Sequence, residues 1–174
     1  MLQTVLIIVV ILIASVLVIA ALKPNSFRYE RSTRIKAPPQ KIFPLIDDFH
    51  NWKDWSPWEK LDPALQRTYS GAPSGKGAVY AWQGSKKVGS GRMEITDSQP
   101  AKKVLIKLDF ISPFEAHNTA EFTLTPAGGD TQVSWAMYGP SPFMPRLMSV
   151  FMNMEKMLGK SFDEGLASLK ALAE

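Results

Sequence analysis

The sequence predicts an α+β fold in which a curved, mostly antiparallel sheet of about seven strands grips one long C-terminal helix, preceded by one N-terminal transmembrane helix. Three observations predict it. Between Leu65 and Tyr138 the apolar pattern has period two, and turn residues such as Gly84-Ser85, Ser112-Pro113 and Ala127-Gly128-Gly129-Asp130 separate the runs. In the last thirty residues the period changes. Phe151, Met154, Leu158, Phe162, Gly165, Leu169 and Leu172 recur at steps near three and four, which puts them on one face of a helix over Pro145–Glu174. The third observation is an apolar run at the other end of the chain, Val5 to Leu22, interrupted only by Ser15.

That run is apolar on every face, which a buried helix of a soluble domain rarely is. As a helix it would extend roughly 27 Å at 1.5 Å per residue, close to the thickness of a hydrocarbon core. Met1-Leu2-Gln3-Thr4 carries no basic residue and the run exceeds a usual signal-peptide core, so an uncleaved single-pass anchor is favoured over a cleaved signal. Lys23, Arg28, Arg31, Arg34 and Lys36 follow the span. By the positive-inside bias they favour a cytoplasmic C-terminal domain. The expected organisation is an anchor over 1–22, a short linker over 23–26 and one domain over 27–174.

Within the domain, Phe27 to Ile35 reads as a strand and Pro38-Pro39 opens a helix with Ile42, Phe43, Leu45 and Ile46 on its apolar face. Three of the five tryptophans, Trp52, Trp55 and Trp58, then fall within seven residues. They are candidates either for core or for a pocket wall. Ser56-Pro57-Trp58-Glu59 has the form of a capping box, so a short helix is expected to start there. Strands are expected over 66–70, 78–83, 86–96, 102–110, 115–125 and 131–138, with Gly84-Ser85 as a tight hairpin turn.

Several chemistries are excluded or weakened. The net charge of +4 is spread without a Lys/Arg stripe, which argues against a nucleic-acid reader. With no cysteine there is no disulfide, thiolate metal site or cysteine nucleophile. His50 and His117 lack metal-ligand spacing. Gly75-Lys76 superficially resembles a phosphate loop, but Ser70 and Gly77 stand where Gly and Ser/Thr belong. Gly89-Ser90-Gly91 falls short of a nucleophile elbow. No catalytic residue, metal ligand or cofactor site is assigned.

Tyr29-Glu30-Arg31-Ser32, Ala37-Pro38-Pro39, Phe43, Asp48-Phe49, Trp52, Trp55-Ser56-Pro57-Trp58, Asp62-Pro63, Gly84 to Gly91 and the terminal helix together carry a resemblance. The chain resembles the START-like, or SRPBCC, superfamily and within it the polyketide cyclase/dehydrase-like branch. The resemblance implies a helix-grip domain with a cavity between sheet and terminal helix, used mainly for hydrophobic ligands. On that basis the candidate ligand-binding residues are Tyr80, Trp82, Arg92, Glu94, Trp135, Met137, Phe151, Met154 and Leu158. Met144, Met148, Met152, Met154 and Met157 suit either an irregular core or a surface that accepts variable apolar partners. Phe114 and Phe143-Met144, at expected loop tips, are candidates for the cavity entrance. The expected function is a membrane-tethered binding or transfer module for a hydrophobic small molecule or lipid. A cyclase/aromatase-like enzyme using Arg92, Glu94 or Tyr138 is the alternative, and a tethered interaction domain with a collapsed cavity is the third reading.

Overall fold

A computed structural model describes residues 1–174. Seven strands, β1 (Ser26–Ile35), β2 (Gln66–Gly71), β3 (Ala78–Gln83), β4 (Ser90–Gln99), β5 (Lys103–Ser112), β6 (Ala116–Ala127) and β7 (Asp130–Pro140), form one sheet in the order β1-β7-β6-β5-β4-β3-β2. All six pairings are antiparallel. The helices are α1 (Leu2–Leu22), α2 (Pro39–Asp47), α3 (Trp52–Trp55), α4 (Phe143–Phe151) and α5 (Met154–Ala173). Strands joined by short turns pair with their chain neighbours, so only β1 is recruited from a distance, against β7. A register shift between Ile95 and Asp97 of β4 is the kind of bulge that bends a strand and helps the sheet curve.

Alternate residues of the strands face the helices. Tyr80, Met93, Ile106, Phe122 and Trp135 are all buried on that side, and α5 contributes Phe162, Leu166 and Leu169 from above. Gly165 of α5 has a packing reason: a Cβ there would lie 2.7 Å from the Trp135 ring and 3.0 Å from Pro57. Leu172, expected on the buried face, is exposed, and Leu166 and Ala173 are buried in its place.

The expected single helix over Pro145–Glu174 is instead two. Met152 is extended, and the Asn153 side chain accepts a hydrogen bond from the backbone N–H of Lys156 at 2.9 Å, capping the start of α5. The apolar period runs through the break, which is why the pattern alone reads as continuous. The capping box at Ser56 also does not form. Pro57–Lys60 is a 3-10 turn, the Ser56 side chain makes no cap, and Glu59 is drawn to other partners. Nor is Gly84-Ser85 a two-residue turn. The β3–β4 connection runs through Gly89, and Asp62 shapes it by accepting from the Ser85 N–H at 2.6 Å and the Ala64 N–H at 3.0 Å. Those two backbone donors hold the Asp62 carboxyl below its ordinary range.

The tryptophan segment closes the end of α2. An α-helix leaves its last carbonyls without intrahelical partners. Here Asn51 Nδ2 donates to Pro44 O at 3.0 Å, Trp55 Nε1 to Leu45 O at 2.8 Å and Trp52 Nε1 to Ile46 O at 2.9 Å. The same indoles are then fixed beneath the sheet, with Trp52 and Trp55 buried.

Several connections meet at one end of the sheet. Ser26 lies opposite Pro140, Phe110 opposite Ala116, and Ser90 opposite Ser112. The α1–β1 junction, the β3–β4 loop, the β5–β6 loop and the exit from β7 into α4 are therefore at one end. From there α1 projects away from the domain. It is long and apolar enough to cross a membrane, and Ala20 is its one buried residue.

Candidate ligand-binding site

A cavity of about 240 Å³ lies between the concave face of the sheet and α5. Its walls follow from the two-residue repeat. β3 supplies Tyr80 and Trp82, β4 Met93, β5 Leu108 and Phe110, β6 Ala120, and β7 Trp135 and Met137. Leu158 and Phe162 of α5 close one side, and Trp52 and Trp58 from the tryptophan segment close another. Aromatic rings hold these walls in place: Trp135 is stacked between Phe122 at 4.9 Å and Phe162 at 4.5 Å, and Trp58 meets Trp135 edge-on at 5.4 Å. Gly91 permits the position of Trp82, because a Cβ at residue 91 would fall 2.3 Å from that indole and 2.6 Å from the Asp109 carbonyl.

The polar groups of the lining are few. Ser56, Glu59 and Lys87 are the non-apolar side chains besides the Tyr80 hydroxyl and the indole N–H groups. Glu59 is almost completely buried, with 7% of its side chain exposed. Its Oε2 accepts from Arg67 Nε at 2.6 Å and its Oε1 from the Tyr80 hydroxyl at 2.5 Å. Both carboxylate oxygens are thus engaged. Burial, and then the bond to Glu59, push the Tyr80 hydroxyl well above the ordinary tyrosine range. Arg67 is raised too, chiefly by its hydrogen bond to Glu59. Trp135 Nε1 is buried without a partner, an exposed-to-nothing donor in a wall residue.

A tyrosine whose folded pKa is raised stabilises the fold below its unfolded pKa, near 10, and that contribution is lost as pH rises toward the folded value. Alkaline unfolding followed by near-ultraviolet circular dichroism should therefore begin above about pH 10, and Tyr80→Phe should shift its onset upward. An unchanged onset would show that other groups set the alkaline limit.

Five of the nine residues expected at the site, Tyr80, Trp82, Trp135, Met137 and Leu158, line the cavity. Four do not. Arg92 and Glu94 alternate with the inward Gly91, Met93 and Ile95, so they stand on the outer face, where they pair with each other at 2.8 Å. Tyr138 is on that outer face as well, beneath the Arg28 guanidinium at 5.0 Å. Phe151 and Met154 fall at the break between α4 and α5. They border a second, open groove of about 810 Å³ beside β1 and α4, separated from the cavity by Leu158, which touches both.

What the sequence reading missed is the polar end. Glu59 was absorbed in an expected capping box, and its partners Tyr80 and Arg67 are eight and more residues away on other elements. Arg92 and Glu94 were legible in principle. Opposite charges two apart in a strand share a face, and the Gly-Met-Ile series between them is the one that packs.

A sheet wrapped on a C-terminal helix with an apolar cavity between them defines a helix-grip protein of the START-like class. The family described as polyketide cyclase / dehydrase and lipid transport matches residues 26–174, and the chain belongs to it. No curated protein matches the sequence. Among solved structures, protein CV1439 from Chromobacterium violaceum is 15% identical with a TM-score of 0.60, covering 87% of this chain and 99% of its own. Ara h 8.0201 is 14% identical with a TM-score of 0.57, covering 85% and 97%. DynU16, from the dynemicin biosynthetic locus, is 15% identical with a TM-score of 0.57, covering 86% of this chain and 47% of its own. At these identities the likeness is one of fold.

Proposed function

We propose that this protein is a membrane-tethered module that binds or transfers a compact hydrophobic molecule. The observation that carries the reading is the cavity: apolar on nearly all sides, partly open at one end, and walled by rings held in fixed contacts. Its volume is about 240 Å³. Ordinary small-molecule sites span about 300–1,000 Å³, so a compact ligand or a single chain suits this one better than a whole diacyl lipid.

Membrane tethering rests on α1, which leaves the domain with its apolar surface uncovered. The basic residues that follow it support a cytoplasmic domain. The pairing of Arg28 with Glu30 and Glu121, and of Arg34 with Asp130, does not weaken this, because the bias counts Lys and Arg rather than net charge. The family description includes lipid transport, which agrees with a carrier role. The cyclase-like alternative loses its named residues, since Arg92, Glu94 and Tyr138 face away from the cavity. Glu59 is the acid in the lining, and with both oxygens occupied it is better arranged to hold structure than to take a proton from a substrate.

The test is to fill the cavity. Ala120 is buried on its floor, and Ala120→Phe should occupy much of the space. Full-length protein in detergent, titrated with an apolar fluorescent probe, should bind at least about tenfold more weakly after the change, or about 1.4 kcal/mol, with far-ultraviolet circular dichroism unchanged. Equal binding in both proteins would place the probe elsewhere and sink the cavity assignment. No uptake by either protein, with no apolar species retained in native mass spectrometry, would favour an interaction domain instead.

A further inference from the structure

We infer that α4 is a second membrane contact, an interfacial helix that seats the cavity's open end against a lipid bilayer. The inference deepens the proposed function and rests on its reading of α1 as a membrane span.

The first ground is depth. Helix α4 packs against α1. The α1 stripe with reduced exposure is Val16, Ala20 and the adjoining Lys23, spaced at four and three residues. From Val16 to Lys23 is roughly 10 Å along the axis at 1.5 Å per residue. If α1 crosses the bilayer, an element packed on its last two turns lies within that distance of the membrane surface. Interfacial helices bury their apolar side to a similar depth, about 5–10 Å.

The second ground is chemistry. Between Ala136 and Met154 the only charged residue is Arg146. Its guanidinium is turned inward, donating to the carbonyls of Ala21 and Lys23 at 3.2 Å each, where it complements the C-terminal end of α1. Lys23 returns the tie, its ammonium donating to Ser149 O at 2.7 Å and Ser149 Oγ at 2.9 Å. The cations are thus spent on joining the two helices. What α4 and its exit present outward is uncharged: Met144, Met148, Phe151 and Met152 are 62%, 42%, 73% and 45% exposed. Such a surface continuous with a membrane span has one natural cover, the same bilayer.

The third ground is position. At this end of the sheet Ile111, near the end of β5, and Phe114, in the β5–β6 connection, are 64% and 72% exposed, and the β3–β4 loop carries the exposed Lys86 and Lys87. Lys87 also borders the cavity. The cavity's rim and the uncovered apolar side chains therefore share the end from which α1 departs. A ligand leaving the acyl region would have a short path to the cavity, past lysines suited to anionic headgroups.

The chain has no cysteine, so single labels can be placed without background. Full-length Met144→Cys, Met148→Cys and Phe151→Cys, each carrying an environment-sensitive fluorophore, would be reconstituted into phosphatidylcholine–phosphatidylglycerol vesicles. Leu12→Cys reports the middle of α1, and Thr125→Cys reports the far end of the sheet. Labels on α4 should be quenched by lipids bearing a shallow quencher, and their iodide quenching should fall roughly fivefold below that at Thr125. Iodide quenching equal to that at Thr125, with Leu12 still quenched by lipid, would overturn the interfacial helix and leave the tether standing. A Leu12 label in water would overturn both. Labels shielded from iodide and from lipid quenchers alike would mean that protein covers α4, which also overturns the proposal.

Discussion

Trp55→Ala should destabilise the domain by about 3–5 kcal/mol, the range for truncating a fully buried large aromatic side chain. Trp55 is fully buried, and its ring meets Trp52 at 4.8 Å, Trp135 at 5.6 Å and Phe122 at 5.9 Å. It also does a second job, because its Nε1 satisfies the Leu45 carbonyl at the end of α2. Alanine would remove the packing and leave that carbonyl short of a partner, and the two losses fall on the same helix junction. Trp55→Phe separates them. It keeps most of the ring volume and loses the hydrogen bond, so it should cost about 1–2 kcal/mol. Urea denaturation of the detergent-solubilised chain, followed by circular dichroism, reads both. A loss below 1 kcal/mol for the alanine variant would show that the tryptophan cluster is not the keystone the contacts make it.

The same residue shows what was legible beforehand and what was not. The strand order follows from period-two runs and turn residues, and the observed strand limits depart from the expected ones by a few residues, most at the start of β4. Local patterns fail where a distant group wins the competition for a side chain. Glu59 had a local option, the capping box, and took a nonlocal one, because a buried tyrosine hydroxyl required an acceptor and the half-exposed Arg67 lay within reach of the other carboxylate oxygen. The α4–α5 break is similar. Nothing in the apolar spacing marks it, although Asn153 is a cap-forming residue. What separates the two helices is their partners, since α5 packs on β1 and α4 on α1. Of the candidate site, the apolar walls on β3 and β7 were readable from the family pattern. The assignment of strand faces at Arg92 and Glu94 required the register, because a shift of one residue exchanges the faces.

Glu59 also gives the second large effect. Glu59→Ala should cost about 2–3 kcal/mol of stability. Removing one member of a buried ion pair costs about 3–5 kcal/mol, and the figure is lower here because Arg67 keeps 30% of its side chain exposed and can turn to water. The Tyr80 hydroxyl has no such escape, since Tyr80 is only 4% exposed. Glu59→Gln retains an acceptor for that hydroxyl and should recover about half of the loss. Tyr80→Phe combined with Glu59→Ala should then be less damaging than the two changes summed, with a coupling energy of about 1 kcal/mol or more. Additive losses would mean the short hydrogen bond contributes little. The same variants bear on ligand binding, because Glu59 and Tyr80 both line the cavity. If the pair serves to position Tyr80 as a wall, Glu59→Gln should leave apolar-probe affinity within about threefold, whereas Glu59→Ala should lower it by loosening that wall. A large loss with Glu59→Gln alone, at unchanged stability, would instead make the carboxylate itself a ligand contact.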